Sequence, residues 1–583
     1  MRLEEYWGVG PKTRALLTEQ LGVEAAVRAI ESADLRTLVD AGLSRGRATR
    51  ILRHARGEDG LAILATRDAR NVYKRLLDVA SDYALTREAA DRISLLTPLS
   101  DRAEMEARLD RVREARESRD RLDEVTREAV LAAFEEYDSV DGGDLASVRA
   151  AAAISSAGAT AGVFAPLADL DDRTLADAAD ALAALEDGGV AAGADDRLDD
   201  LRDQLGALED AAGNAADIVE SVQAEVRGAD GFREAFAREV VDRTGVDLAA
   251  VRNAMAPDAA DATDFVTETL RALADDRRSA VETRAAEVRA DLEATVEESR
   301  ETIDAAVAAV DDIAFGLSLA RFAANFDLVR PSFVDDREVL AVENARNLSL
   351  SAAGEAVQPV TYAVGDHGLP AVPQPPSGDR VAVLTGANSG GKTTLLETLC
   401  EVSLLAQMGL PVPADRAELS LVDAVVFHRR HASFNAGVLE STLRSVVPPV
   451  CDAGRTLMLV DEFEAITEPG SAADLLHGLV TLTVDRGALG VFVTHLADDL
   501  EPLPETARTD GIFAEGLDPD LELIVDYQPR FDTVGRSTPE FIVSRLVANA
   551  TDREERAGFE TLAEAVGQEA VQRTLADARW AGD

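Results

Sequence analysis

Gly386-Ala387-Asn388-Ser389-Gly390-Gly391-Lys392-Thr393-Thr394 decides how this chain is read. Gly386, Gly391, Lys392 and Thr393 have the spacing of a P-loop. In such a loop, glycines let backbone N–H groups turn toward phosphate, and the N-terminus of the following helix adds a favourable dipole. The flanks fit: Val381-Ala382-Val383-Leu384-Thr385 reads as a short buried strand, and the apolar run from Thr393 to Gln407 as a helix. Composition singles out the same place. The chain has three lysines, Lys12, Lys74 and Lys392, and every other side-chain cation of fixed charge is arginine. A compact, flexible ammonium suits the β/γ-phosphates in a way that a planar guanidinium does not. ATP and Mg²⁺ are therefore the expected ligands. Residues Gly386 to Thr394 would surround the phosphates, with Thr393 on the metal.

Two further stretches extend the site. Leu457-Met458-Leu459-Val460 reads as a buried strand ending in Asp461-Glu462. Asp461 is expected to help hold Mg²⁺, and Glu462 to orient or deprotonate the attacking water. A helix N-cap is the structural alternative for such an acidic pair. Gly490-Val491-Phe492-Val493-Thr494 is another strand, ending at His495, one of six histidines. His495 is placed to sense the γ-phosphate; a capping or core histidine is the bland alternative. Lys392, Glu462 and His495 form the expected catalytic set.

The chain's 583 residues are too many for one ordinary core, so several domains are expected. Acids number 108 against 59 basic residues, a formal charge of −49, with aromatics at only 4%. Self-repulsion on that scale loosens a compact state in low salt. In molar salt the Debye length is about 3 Å and the repulsion is largely screened. Lysine depletion with a highly acidic surface resembles proteins of salt-in halophiles, haloarchaea especially. The charge thus reads as adaptation to the solvent and does not exclude a nucleic-acid partner. Cys400 and Cys451 make neither a disulfide framework nor a zinc set, and read as buried thiols of a reducing cytoplasm. The N-terminal Met1-Arg2-Leu3-Glu4-Glu5 has no secretory apolar region, and no uninterrupted apolar run of about 18 residues predicts a membrane span.

Charge also divides the chain. Up to residue 75 there are 14 Lys/Arg and 10 Asp/Glu, a net +4, so the remainder carries −53 of the total −49. Between Ala41 and Gly57 lie Arg45, Arg47, Arg50, Arg53 and Arg56 with no acid. Residues 58 to about 330 read as mostly helical, with the Ala/Asp-rich stretch 140–200 partly loop. Asp258 to Phe315 runs 58 residues without Pro or Gly. Its apolar residues recur at coiled-coil-like steps, including Val266, Leu270, Leu273, Val281 and Val288, with a break at Arg277. One helix of that length would span about 85 Å. It would be either an ordinary long bundle helix or an arm, with a partner helix in 196–226. Pro370 to Gly378 is a turn-rich link, after which the pattern becomes α/β.

Around these elements the chain resembles the MutS superfamily of ABC-type ATPases. Ala406-Gln407-Met408-Gly409-Leu410-Pro411-Val412-Pro413-Ala414-Asp415 is similar to that family's AQ-x-G-x-x-VPA run, and Leu421 to Phe427 to the strand after it. Ser433 to Gly437 and Glu440-Ser441-Thr442-Leu443 resemble its signature loop, which in the family reaches across a dimer to the other subunit's γ-phosphate. Leu459 to Phe463 matches the Walker B region. Asp312 to Ala320, Arg330-Pro331, Leu95 to Leu99 and Met105 to Val112 look like the two ends of the family's core helices. The likeness spans roughly residues 60–540 and is most specific in 380–500. It implies a homodimer that sandwiches two ATPs, with Ser441 and Thr442 acting in trans.

Departures from the family pattern shape the expected function. The core is expected to begin near residue 60, which would leave no room for a mismatch-binding domain, and the 583 residues would be too few to add a C-terminal nuclease-type module. The F-x-E triplets Phe134-Glu135-Glu136 and Phe232-Arg233-Glu234 fall in predicted helices and read as coincidental. Arg346-Asn347-Leu348 replaces the common R-H-P, and Gln358 to Tyr362 replaces V-P-N-D, with Tyr362 a possible stacking partner for adenine. Residues 1–57 instead look like a double helix-hairpin-helix module. Gly8-Val9-Gly10-Pro11-Lys12 forms one hairpin, and Gly42 to Ala48 a degenerate second copy. Gly8, Gly10, Lys12, Arg45, Arg47 and Arg50 are the expected DNA-phosphate contacts; a helical adaptor packed on the core is the alternative.

The resulting expectation is a multidomain chain with four parts. Residues 1–57 form the hairpin module, and 58–340 a mainly α MutS core with coiled-coil-like lever arms or clamp at about 196–315. Residues 341–540 form an α/β ABC-type P-loop ATPase domain, and 541–583 a helical C-terminal tail. The expected protein is an archaeal, cytoplasmic, mismatch-independent ATPase of the second MutS group, acting as a dimeric clamp on duplex or branched DNA. Arg227, Arg233, Arg238, Arg243 and Arg252 would be phosphate contacts near the arm tip, or merely a solvated helix face. The rival expectations are an ATPase gripping ribosomes or structured RNA, a non-enzymatic scaffold, and a mismatch sensor, which the missing domain disfavours.

Overall fold

A computed structural model describes residues 3–140, 142–186, 189–226, 229–256, 259–386, 391–430, 436–452, 454–463, 469–518, 521, 523–535 and 539–580. The chain divides into two compact units. One combines Met1–Arg121 with Ile313–Asp583, and the other is Leu122–Asp312.

The first unit is organised by a six-stranded sheet. Its order is Leu523–Arg530, Ala507–Leu517, Val381–Gly386, Leu489–Val493, Thr456–Asp461 and Ala424–His428. All neighbours pair in parallel except the antiparallel outer strand Leu523–Arg530. The inner strands are short continuous apolar runs because both faces are covered; every residue of Val381–Gly386, Thr456–Asp461 and Leu489–Val493 is buried. In such sheets ligands bind beyond the carboxyl ends of the strands. Gly386, Asp461 and His495 stand at or just past three such ends, on adjacent strands.

The opposite sheet edge, Ala424–His428, is covered by the helix Arg67–Ser81. Thr66 N-caps that helix. Its hydroxyl also donates to Phe427 O at 2.6 Å and accepts from Phe427 N at 3.1 Å. An edge that would otherwise offer open backbone groups is thus closed by the chain's own N-terminal part. A second sheet, ordered Ser332–Val334, Arg416–Ser420, Val339–Ala345 and Val360–Gly365, shares one apolar core with that helix and with the helix Lys392–Gln407.

Four helices, Pro11–Gln20, Val23–Ser32, Leu35–Asp40 and Arg45–Ala62, form a small N-terminal cluster around Leu17, Ile30, Leu38, Ala48, Ile51 and Leu52. Near the C-terminus, Pro539–Asn549, Arg553–Val566 and Gln568–Trp580 pack around Val543, Val547, Ala563 and Val571.

Among its described residues the second unit is helical apart from one two-residue hairpin, Leu185–Glu186 with Gly189–Val190. Within the Ala/Asp-rich stretch the described residues include helices at Asp144–Ser156 and Asp172–Ala184, with turns and loop between the elements. The long Pro- and Gly-free stretch is not one helix. Ala262–Glu298 ends at Ser299, and a new helix runs over Arg300–Asn325. The first piece therefore spans about 55 Å, short of the 85 Å of an unbroken rod. Asp196–Gly213 packs along it. Their association rests on an apolar cluster that includes Leu208, Phe236, Phe265 and Leu270. The ion pairs Arg278–Glu209 and Arg284–Asp195, both 2.7 Å, lie on the surface, where water and salt screen them, and add little.

Among the described residues no helix is long and apolar enough to cross a membrane. Cys400 is buried, whereas Cys451 is only half-buried, so the expectation of two buried thiols holds for one.

Candidate nucleotide site and basic hairpins

At the head of the central strand, Gly386 has φ +134°, and a Cβ there would lie 2.2 Å from Ile512 O. Only glycine fits. Ala387, Asn388, Ser389 and Gly390 lie outside the described residues. The chain re-enters at Gly391, in the left-handed region at φ +71°, as N-cap of the helix Lys392–Gln407. Lys392 is 5% exposed, and its Nζ donates to Gly386 O at 2.9 Å. The ammonium thus spans the two ends of the glycine turn, and Thr394 follows in the first turn of the helix.

Thr393 donates its hydroxyl to Asp461 Oδ2 at 2.8 Å. The other carboxylate oxygen, Asp461 Oδ1, is buried with no hydrogen-bond partner among the described residues. Burial pushes the Asp461 carboxyl above the usual aspartate range, with the Thr393 hydrogen bond pulling the other way. A hydroxyl beside a buried carboxylate with an open oxygen is a donor set suited to a hard divalent cation. A cation there would offset the desolvation that disfavours the charged form.

Glu462 sits next in sequence but in a different environment. Its backbone is left-handed at φ +42° and its N–H donates to Val493 O at 3.0 Å, which ties it to the neighbouring strand. A left-handed residue other than glycine costs about 1 kcal/mol and has to be held by its surroundings. Its Oε1 is 2.9 Å from His495 Nε2, and its Oε2 pairs with Arg430. The His495 contact leads in holding the Glu462 carboxyl below the usual range, against the opposing effect of burial. Two adjacent acids are thus driven apart, Asp461 up and Glu462 down.

Sequence reading missed Arg430. The signal was there, in two consecutive arginines directly after a buried strand of an acid-rich chain. Arg429 pairs with Glu397 on the helix Lys392–Gln407, and so does Arg75 of the helix Arg67–Ser81. One turn on, Glu401 is fully buried and accepts from Leu348 N at 2.7 Å and Ser349 N at 3.2 Å. It satisfies the opening N–H groups of the helix Leu348–Ala352.

Tyr362 is not available to stack on a base. It is fully buried, its hydroxyl donates to Asp510 Oδ2 at 2.8 Å, and Arg508 lies over its ring. The aromatic beside the glycine turn is Tyr527, on the antiparallel outer strand. A Cβ on Gly391 would lie 2.6 Å from Tyr527 Cδ1. In the stretch resembling a signature loop, Ser433, Phe434 and Asn435 lie outside the described residues. On the helix Ala436–Asp452, Ser441 is exposed and Thr442 is buried.

In the N-terminal cluster Gly8 and Gly42 both have positive φ, +79° and +95°. A Cβ on Gly8 would lie 3.2 Å from Ile51 Cγ1, on the helix after the second hairpin, and one on Gly42 would lie 3.7 Å from Leu16 Cδ1, on the helix after the first. Gly10 N-caps the helix Pro11–Gln20, which places Lys12, exposed, in its first turn. The arginines divide by partner. Arg45 pairs with Asp91, and Arg53 donates to Ser94 O and stacks over Tyr73; both brace the cluster against the helix Arg87–Ser94. Arg47 donates to Gly8 O at 3.4 Å and Arg50 to Gly46 O at 3.1 Å. Neither has an acidic partner among the described residues.

In the second unit, Arg227 lies outside the described residues. Arg233 stacks over Phe265, and Arg243 and Arg252 pair with Glu239 and Glu234. Arg238 is exposed.

The fold and these residues define a parallel α/β sheet domain with a candidate phosphate and metal site at its strand ends. Residues 382–450 match the family model of MutS domain V. The chain is 43% identical over 231 residues to the DNA-binding protein MutS2 of Pyrococcus furiosus, covering 39% of each chain. It is 32% identical over 177 residues to the endonuclease MutS2 of Thermus thermophilus, covering 29% of this chain and 23% of that one. Over 251 residues it is 31% identical to the DNA mismatch repair protein MutS of Anaeromyxobacter dehalogenans, covering 40% and 27%. The chain thus spans well under two thirds of the length of the relatives it matches. Together the matches support a place in the MutS superfamily, in the group of the MutS2 proteins.

Proposed function

We propose that this chain is a MutS-type ATPase of the mismatch-independent group that binds DNA without sequence choice. It acts as a homodimeric clamp on duplex or branched DNA in the cytoplasm of a halophilic archaeon. The observation that carries the reading is the pairing of Thr393 with a buried Asp461 whose second oxygen is open, beside a Glu462 oriented by His495.

In this reading, Lys392 and the glycine turn hold the β/γ-phosphates, and Thr393 and Asp461 hold Mg²⁺. The cation supplies charge neutralisation on the phosphate oxygens. Glu462 stays ionised and accepts a proton from, or orients, the attacking water. His495 fixes the carboxylate and stands where it can contact the γ-phosphate. Tyr527, beside Gly391, takes the place first assigned to Tyr362. Ser441, the exposed member of its pair, serves the partner's nucleotide, and Lys12, Arg47 and Arg50 meet DNA phosphates. The acidic composition supports a saline cytoplasm.

The test is ATP hydrolysis in molar KCl with intact duplex, branched DNA and ribosomes as stimulators. Stimulation by DNA is expected. Stimulation by ribosomes alone would move the function to RNA. Tighter binding of mismatched than matched duplex would restore the mismatch-sensor reading.

A further inference from the structure

The N-terminal cluster carries a feature that phosphate contact does not use. Trp7 lies in the turn just before Gly8 and is 50% exposed. Its ring stacks on His54 at 3.8 Å with an interplanar angle of 19°. An indole is costly to leave in water, and tryptophan is highly buried on average. Here a chain with only two tryptophans and 4% aromatics leaves one half in solvent. One face of the ring rests on His54, and half of the residue is left in solvent.

The segments that adjoin Trp7 carry cations, with Glu4, one of the two acids just before it, already paired with Arg14. Arg47 reaches Gly8 O, directly after Trp7. Arg50 lies four residues before His54 on the helix Arg45–Ala62, so Arg47, Arg50 and His54 share one side of it. Lys12 follows in the first turn of the next helix. No acid occurs between Ala41 and Gly57. We propose that Trp7, backed by His54, is a stacking platform for an unpaired nucleobase, so that the hairpins hold DNA at a gap, flap or junction. The proposal rests on the DNA-binding reading above and adds the feature of DNA that is recognised.

Salt decides between this and phosphate contact alone. A chain of net charge −49 approaches DNA only where repulsion is screened. Screening also strips the phosphate contacts: three cations lose about 500-fold in affinity over a tenfold rise in salt. A stacked base is worth roughly five- to a hundred-fold and depends on a π-face, which salt does not screen. In the solvent that suits this chain, an exposed indole outlasts the cationic contacts.

The experiment compares a fluorescein-labelled duplex of about 30 base pairs with the same duplex carrying a gap of about five nucleotides, by anisotropy with the full chain at about 0.2 and 2 M KCl. We expect roughly tenfold preference for the gapped form at the higher salt. Trp7→Ala should reduce the ratio to about one, and Trp7→Phe should keep most of it. In a Trp580→Phe background, Trp7 emission should be quenched by gapped DNA and not by intact duplex. An unchanged ratio in Trp7→Ala, or emission indifferent to gapped DNA, overturns the stacking role while leaving DNA binding in place. Failure of the wild-type chain to bind either DNA overturns both readings.

Discussion

Lys392 and Lys12 are two of the chain's three lysines, and each opens a helix just after a glycine turn, yet their surroundings are opposite. Lys392 is buried, and its ammonium is already fixed on Gly386 O. Lys12 is exposed and pairs with no acid among the described residues. A desolvated, preorganised cation acts through a low dielectric and pays no reorganisation when a phosphate arrives. An exposed one acts through water and is screened over a few ångströms in molar salt. The nucleotide site should therefore be insensitive to salt and intolerant of change, and the hairpins the reverse.

The largest effect should come from Lys392→Ala, which removes the buried charge. ATP affinity, measured by calorimetry in molar KCl, should fall by about a hundredfold or more. Lys392→Arg should not restore it, because a planar fork does not replace a point charge in a closed turn. A milder loss, or one that varies with salt, would place Lys392 in the same class as Lys12.

His495→Ala should be next, lowering turnover by about ten- to a hundredfold. It also has a signature in pH. Glu462 is held below its ordinary value of 4.5, chiefly by His495. A lowered carboxyl contributes stability above its unfolded value, and that contribution is lost as pH falls through the folded value. Removing His495 should move the Glu462 titration upward, read by carbon NMR of the labelled side chain. An unmoved titration would mean that Arg430 alone fixes the carboxylate.

The smallest effect belongs to Lys12→Ala. Duplex affinity should fall only a few-fold at about 0.2 M KCl, vanish as an effect near 2 M, and lower the slope of log K against log salt by about one. An equal loss at both salts would indicate a buried role that the exposed geometry does not support.

The two regions also differ in how much their sequence revealed. The glycine turn, Asp461-Glu462 and His495 were readable because each ends a short apolar run that is continuous in sequence and buried on both faces. What joins them was not readable: the Glu462–Arg430 contact links residues 32 apart through side-chain direction. Tyr362 was misread for a related reason. Its strand, Val360–Gly365, is buried along its whole length, so no alternation says which way the ring points. Tyr527 reaches Gly391 only because its strand returns antiparallel along the sheet edge. In the hairpins, the acid-free arginine run was plain, but Asp91, which neutralises Arg45, lies 46 residues away. The break at Ser299 escaped notice because one serine resets the helix without Pro, Gly or loss of apolar spacing.

The central claim is that Glu462 activates or orients water at a nucleotide held by Lys392 and Thr393. Glu462→Gln keeps the size and shape of the side chain and removes its charge, so ATP binding and turnover measured together on that one variant test the claim most directly. The account predicts unchanged ATP affinity, turnover lowered by about a hundred- to a thousandfold, and a long-lived ATP-bound dimer. Turnover equal to that of the unaltered chain would contradict it.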